Sequence, residues 1–499
     1  MPIPEPPEFC AARLRLASDP YRPAYHYVAP SEWLNDPNGA IFWRGRHHLC
    51  YQYGPRFSQG DDNKHWGHAV SEDLVHWTDL PLAIAPEPDT YDEKGIWSGN
   101  ALNDGDRAIA IYHAHQSGNC IATSEDEFLV HWKKHPGNPV IPPDPARIYD
   151  PCIWKEGDTY YSLSGRIVDV APDNPGFPPT TGRDTAYLFR STDLEHWEDL
   201  GAFYEGGRFT TPGEDCAVPD FFPLGDKHML LFASHKRGGQ YYIGSYADHR
   251  FAPEWHGRMN FTFFPPGIIE GGEFMAPLSW RDGAGRRIVI AWCTEGRTVS
   301  VQREAGWAGI MTLPRIISLA PDGTLQIVPA PELEALREER RALADVAVPA
   351  DGCVTLDGVA GDRLEIAARL ACGEAEQVGL KVCCSPGGEE ETLIVYDRIA
   401  GTLTLDASRA SLSEDMVGRA PQVAPLTLGE GEPLELRVFV DRSIVEVFAN
   451  GRQCVTKRIY PARTDSLGVR LFARGGNASA VGVEAWKMGA IWPLAEGDS

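Results

Sequence analysis

Along the first two thirds of the chain, short apolar runs alternate with polar turn pairs such as Gly-Asp and Asp-Gly, the pattern of strands folded into hairpins. Five units of strand, turn and strand stand out: NDPNGAIFWRGRHHLCYQY, NALNDGDRAIAIYHAH, YDPCIWKEGDTYYSLSG, VPDFFPLGDKHMLLFASH and APLSWRDGAGRRIVIAWC. A second pattern recurs between them, as SEDLVHW (71–77), SEDEFLVHW (124–132) and STDLEHW (191–197). Each copy follows an apolar or aromatic stretch and ends in a Trp suited to packing between layers. Recurrence at a spacing of roughly 50 to 70 residues is that of a propeller, not of a solenoid. Five units predict five blades of antiparallel sheet about one axis.

The pattern fades after LPRIISLAPDGTLQIVP (313–329). In PELEALREERRAL, Leu333, Leu336 and Leu343 with interleaved charges predict one short amphipathic helix. Beyond it come short strands with dense turns, among them RLEIAARL, QVGLKVCC, ETLIVYD and LELRVFVDRSIVEVFANG, a β-sandwich pattern. The expected architecture is all-β: a five-bladed β-propeller over 1–325, a linker with a short helix over 326–345, and a β-sandwich over 346–499. The second domain is expected to cover a face of the first, not to bind carbohydrate by itself.

Composition narrows the function. The 50 Gly and 40 Pro are too many for a helical protein, and a net charge of -24 opposes nucleic-acid and anionic-membrane partners. A neutral ligand suits that balance. No apolar run reaches transmembrane length, the N-terminus does not read as a secretory signal, and eleven scattered cysteines fit reduced thiols, so a cytoplasmic location is expected. Nucleotide loops (GxGxxG, Walker A) and the GxSxG elbow are absent. The pairs His65/His68 and His113/His115 lack completing ligands, so neither a metal nor any other cofactor is expected. Oligomeric state is not legible.

Carboxylates at the starts of the hairpin units carry the chemistry. Asp36 opens unit one in WLNDPNG, Asp150 opens unit three in IYDPCIW, and Glu214 and Asp215 precede unit four in GEDCAVPDFF. In a propeller the innermost strands line a central funnel, so these acids converge there, with Trp33, Trp66 and Trp97 available to stack on a sugar. Two carboxyl groups flanking a bond are what glycoside hydrolysis needs, one ionised and one protonated.

WLNDPNGA, followed by LCYQYGP, HWGHAVSEDLVHW and WSGNA, resembles glycoside hydrolase family 32, the invertases, levanases, inulinases and related fructosyltransferases. DRSIVEVFANG and TKRIYP resemble its C-terminal β-sandwich. The resemblance implies a retaining β-fructofuranosidase acting on sucrose or fructo-oligosaccharides through a covalent fructosyl-enzyme, with nucleophile and acid roughly 5 to 5.5 Å apart. Asp36 matches the nucleophile and Asp150 the transition-state stabiliser of the RDP motif. Glu214 matches the general acid and base of the EC motif. Asn35, Gln52, Trp97 and Ser98 match contacts to the fructose, and Trp33, Tyr149 and Asp215 complete the expected binding set. Three departures stand. The RDP arginine is Tyr149, with Arg147 two residues earlier. ECPD is stretched to EDCAVPD, so an insertion must be assumed and Asp215 competes with Glu214 as the acid. A Trp common after the Gln of FYQYNP is Gly60 here. The rivals are a fructosyltransferase, an inverting propeller glycosidase acting on arabinose or xylose polymers, and a sugar-binding protein without catalysis.

Overall fold

The structure, a computed structural model, describes residues 5–142, 148–172, 179–262 and 274–493. Strands dominate it; the α-helices among the described residues are Pro7–Leu16 and Val299–Ala305. Five antiparallel sheets follow one another along the chain. Their first strands are Glu32–Trp43 (sheet I), Ile96–Asn103 (II), Tyr149–Glu156 (III), Ala217–Leu224 (IV) and Phe274–Arg281 (V). These strands pack in cyclic order, I on II, II on III, III on IV, IV on V and V back on I. A late two-residue strand, Trp307–Ala308, pairs in parallel with Glu32 and Trp33 and so stitches the end of the ring to its beginning.

Burial follows the sequence pattern. Ala108–Ala114, read as AIAIYHA, is buried along its whole length in the middle of sheet II, and each large aliphatic side chain so buried stabilises the fold by about 1.5–3 kcal/mol. The SxDLxHW repeat is a turn joining the third and fourth strands of sheets I to III. Asp73 accepts the backbone N–H groups of Val75 and His76, Asp193 those of Glu195 and His196, and Asp126 those of Phe128, Val130 and His131. In each copy the Trp indole donates to the carbonyl of a buried Leu held at positive φ: Trp77 to Leu74, Trp132 to Leu129 and Trp197 to Leu194. The repeat is therefore an Asx-type turn with a hydrophobic plug.

The C-terminal domain is two six-stranded sheets sharing one core, with Leu364, Ile366, Leu436 and Val438 from one sheet against Val378, Leu380, Leu403 and Leu471 from the other. The expected helix forms only over its first six residues, and there as a 3-10 helix. Pro331–Leu336 is a short 3-10 helix that buries Leu333 and Leu336 between the domains, beside Val289, Phe439 and Phe448. The following Arg337–Val348 is an edge strand on Ala478–Met488. An isolated helix of that length is marginal, whereas the edge supplies every second backbone partner and its charges keep the strand from pairing further. Nor is 326–345 a linker: Leu325–Pro329 completes sheet V, and the C-terminal sheets begin at residue 337.

The motifs resembling the family's second domain face the first one. Asp441 accepts the backbone N–H groups of Ala24, Tyr25 and His26 at 2.7–2.9 Å and the His26 ring at 2.8 Å. Glu446 accepts the Leu313 N–H and the Arg315 guanidinium, both at 2.6 Å. From TKRIYP, Arg458 lies over the Thr294 carbonyl at 3.5 Å, and the Tyr460 hydroxyl donates to Glu295. The domains are joined by buried charge as well as by apolar packing.

Candidate active site

Every first strand is interrupted near its start. Pairing with the second strand slips between Leu34 and Pro37, between Ile96 and Gly99, between Ala217 and Asp220 and between Met275 and Leu278. In sheet III Tyr149 and Pro151 pair while Asp150 between them does not. A bulge adds a residue and re-aims side chains that a regular strand would send alternately to its two faces. The residues it re-aims are Asn35 and Asp36, Trp97 and Ser98, Asp150, Val218 and Pro219, and Ala276 and Pro277. Asp150, Val218 and Ala276 lie in the left-handed region, at φ +49°, +44° and +48°. Asp tolerates that region, but for β-branched Val218 it is an outlier, with a cost of order 1–3 kcal/mol. The Val218 N–H is spent on the Asp150 carboxyl group. Gly165 in sheet III has a packing reason: a Cβ there would lie 1.9 Å from the Cys216 carbonyl oxygen of sheet IV.

Asp36 is part-buried and accepts the Ser98 hydroxyl at 2.5 Å and the Gln52 amide at 3.2 Å. Asn35 donates to Gln52 at 3.0 Å, so sheets I and II hold the carboxylate through one network. Burial pushes the Asp36 pKa up, against the Ser98 hydrogen bond and the charges of His235 and Lys64. Burial and then the Asp36 charge push Asp150 up to about 7, against His235 and the Val218 N–H. The Asn35 Oδ1 and Lys64 Nζ atoms are buried without a hydrogen-bond partner among the described residues. Such groups retain capacity for a hydroxyl-rich ligand.

Asp215 joins this group and Glu214 does not. Asp215 accepts the Tyr149 hydroxyl at 3.0 Å, the His235 N–H at 2.9 Å and the His235 ring at 2.7 Å. Despite burial, the His235 charge and hydrogen bonds hold its pKa below the ordinary value. Glu214 turns the other way, into a two-point pair with Arg258 at 3.0 Å and 3.0 Å, with Thr211 and Gln240 also donating to it. Burial raises its pKa, but Arg258 and Thr211 outweigh that and hold it down. An acid kept ionised by a bidentate guanidinium has no proton to deliver.

The aromatic expectations divide. Trp97 is part-buried and stacks on His115, with centroids 4.2 Å apart and planes 6° from parallel. Trp33 packs on Phe57 and carries Lys64 Nζ 3.3 Å from its ring centroid. Trp66 is fully buried and donates to the Trp97 carbonyl, so it supports the wall without being able to stack on a ligand. Arg147 lies outside the described residues. His235, Lys64 and Arg258 were not among the candidates. His235 closes the unit VPDFFPLGDKHMLLFASH, and its place at the hairpin end opposite an opening acid was the available signal.

The family model described as the N-terminal domain of glycosyl hydrolases family 32 matches residues 26–331, and the C-terminal model of that family matches 332–487. The chain belongs to glycosyl hydrolases family 32. Family 32 relatives include a sucrose-6-phosphate hydrolase of Zymomonas mobilis, 31% identical over 95% of this chain and 93% of its own. A levanase of Bacillus subtilis is 30% identical over 97% of this chain and 72% of its own. Fructan 1-exohydrolase IIa of Cichorium intybus shares the fold at a TM-score of 0.82, with 25% identity over 95% of this chain and 98% of its own. The two family 32 models meet at residue 331/332, inside the 3-10 helix.

Proposed function

We propose that this family 32 enzyme is a retaining β-fructofuranosidase that removes terminal β-D-fructofuranosyl residues from sucrose or short fructo-oligosaccharides. The observation that carries the reading is Asp36 of WLNDPNG, at a bulge and bound by Ser98 and Gln52, beside a second raised carboxyl group on Asp150. In this reading the five sheets are the blades of a five-bladed propeller, and the first strands open a funnel at their starting end. Asp36 attacks the anomeric carbon and Asp150 holds fructose hydroxyls through the transition state. Asn35, Gln52 and Ser98 orient the ring, with Trp97 as a wall. Relatives named for sucrose 6-phosphate and for levan define the substrates to compare. Eleven free thiols suit a reducing cytoplasm, where an import system would supply the sugar.

The test is product analysis on sucrose, sucrose 6-phosphate, and inulin-type and levan-type oligomers. Equimolar fructose and glucose from sucrose, without trisaccharide, supports hydrolysis over transfer. Trisaccharide as the main product would make the enzyme a fructosyltransferase, and no turnover of any of the four would end the reading.

A further inference from the structure

The five first strands run on past the carboxylates to the opposite end of the ring. Phe42 in sheet I and Glu156 in sheet III stand six residues beyond Asp36 and Asp150, about 20 Å further along the strand. There all five first strands line a cavity of about 660 Å³, whose rim is exposed at Asn103, Lys155 and Arg281. We propose that this cavity is a saccharide-binding site, separate from the one at Asp36, that takes a neutral hexose by its hydroxyl groups. The inference goes beyond the fructosidase reading and uses none of the residues assigned to that chemistry.

The cavity is lined by a polar group built from three sheets. Asn100 of sheet II, Asp220 of sheet IV and Ser279 of sheet V are all buried and line it together with Arg287, from the second strand of sheet V. Asp220 Oδ2 accepts the Ser279 N–H at 2.8 Å and the Ser279 hydroxyl at 2.5 Å, which fixes the carboxylate. Its Oδ1 takes only the Asn100 amide, at 3.3 Å, and keeps capacity to accept. Arg287 lies flat enough over Phe222 to bring its guanidinium carbon 4.1 Å from the ring centroid. Among the described residues the one hydrogen bond of that guanidinium is a long donation to the Ser279 hydroxyl, at 3.4 Å. Burial lowers the Arg287 pKa, and the Asp220 charge offsets this only in part.

A guanidinium carries five N–H donors, so Arg287 presents donors that no protein group accepts, beside a carboxylate oxygen that can still accept. That combination selects the ligand. An anion drawn to Arg287 would meet Asp220, and a cation drawn to Asp220 would meet Arg287. A neutral polyol satisfies both, because each hydroxyl donates to one group and accepts from another. The walls agree, since Phe42 and the part-exposed Trp154 line the same space and supply the apolar faces on which a sugar ring packs. The volume falls in the range of small-molecule sites, which combine apolar walls with a few convergent polar groups.

The experiment labels the full chain with fluorotryptophan, assigns the Trp97 and Trp154 resonances with Trp97→Phe and Trp154→Phe, and titrates with fructose, with glucose and with inorganic phosphate. The expected result is a saturable shift of the Trp154 resonance with at least one of the two sugars. Arg287→Met, which keeps an apolar stem on Phe222, is expected to weaken that binding by about tenfold or more while the Trp97 titration stays as in wild type. Should Arg287→Met fail to fold, Arg287→Lys keeps the charge without the planar fork and is expected to show the same weakening. A Trp154 resonance that neither sugar moves would overturn the proposal. So would equal affinity in the folded Arg287 variant, or a shift with phosphate alone, which would make the cavity an anion site. Trp97 reports on the Asp36 site and Trp154 on this cavity, so failure of the fructosidase reading and failure of this inference are seen separately.

Discussion

The protein buries carboxylates in two places and uses them differently. At the domain interface Glu446 and Asp441 have no exposed surface, and each is closed in by donors fixed in the backbone or on a cation. Burial alone would raise the Glu446 pKa, but Arg315, His26 and the Leu313 N–H bring it down to about 2. At the starting end of the five first strands, Asp36 and Asp150 are pushed up, because burial outweighs the donors supplied to each and the Asp36 charge adds to it at Asp150. A carboxylate whose charge is fully paid by neighbours is a structural part; one held short of donors is poised to bind or react. By this measure Glu214, closed in by Arg258, Thr211 and Gln240, belongs with the interface acids although its sequence neighbour Asp215 faces the site.

The sharpest break of the comparison is to neutralise one acid of each kind. Asp36→Asn is expected to reduce sucrose turnover by on the order of 10⁴-fold or more while leaving the unfolding curve in place. Unchanged turnover would remove Asp36 from the chemistry. Glu446→Gln is expected to do the converse, costing about 3–5 kcal/mol in denaturant titration because Arg315 is left without its charge partner. A stability loss below about 1 kcal/mol would show that the interface does not depend on that pair. The same contrast should appear in acid. Glu446 has a folded pKa of about 2 against an ordinary 4.5, so its contribution is complete above about pH 4.5 and is lost as pH falls towards 2.

Glu214→Gln is expected to fall on the structural side, with a lower melting temperature and equal, modest losses on natural and aryl substrates. Leaving-group dependence in this variant would return Glu214 to the chemistry. In alkali, His235 binds its proton more tightly when folded, at about 9 against 6.5. Its pairing with Asp215 therefore contributes fully below about pH 6.5 and fades as pH rises through about 9, a loss that a thermal-melt series on His235→Gln should not show. The smallest effect belongs to Tyr149→Phe, which removes one of three donors to Asp215 and is expected to cost about 0.5–1.5 kcal/mol in transition-state stabilisation, read as kcat/KM on sucrose.

Much of this could be read before folding. The hairpin units and the SxDLxHW turns depend on local alternation and on Asp capping N–H groups two to five residues on, so their strands stand where expected. Asp36, Gln52 and Ser98 were legible through their motifs and do share one hydrogen-bond network. The segment after Pro331 was not, because its Leu spacing fits a helix as well as an edge strand, and the partner that decides, Ala478–Met488, lies some 140 residues away. Trp66 and Trp97 likewise look alike in sequence, and only packing buries the first beneath the second.

The sequence by itself determined the strand-rich architecture, the family and which residue types were available for chemistry, since all three rest on short-range patterns. Tertiary structure alone decided which of two adjacent acids meets the site. A one-residue step at the entry to a bulged strand sends Glu214 to Arg258 and Asp215 to His235; Arg258 arrives from the fourth strand of the same sheet and His235 from the turn between its second and third strands. The charge state of each acid follows from that partner, because in a buried place the neighbouring donors, and not the carboxyl group itself, set the cost of being ionised.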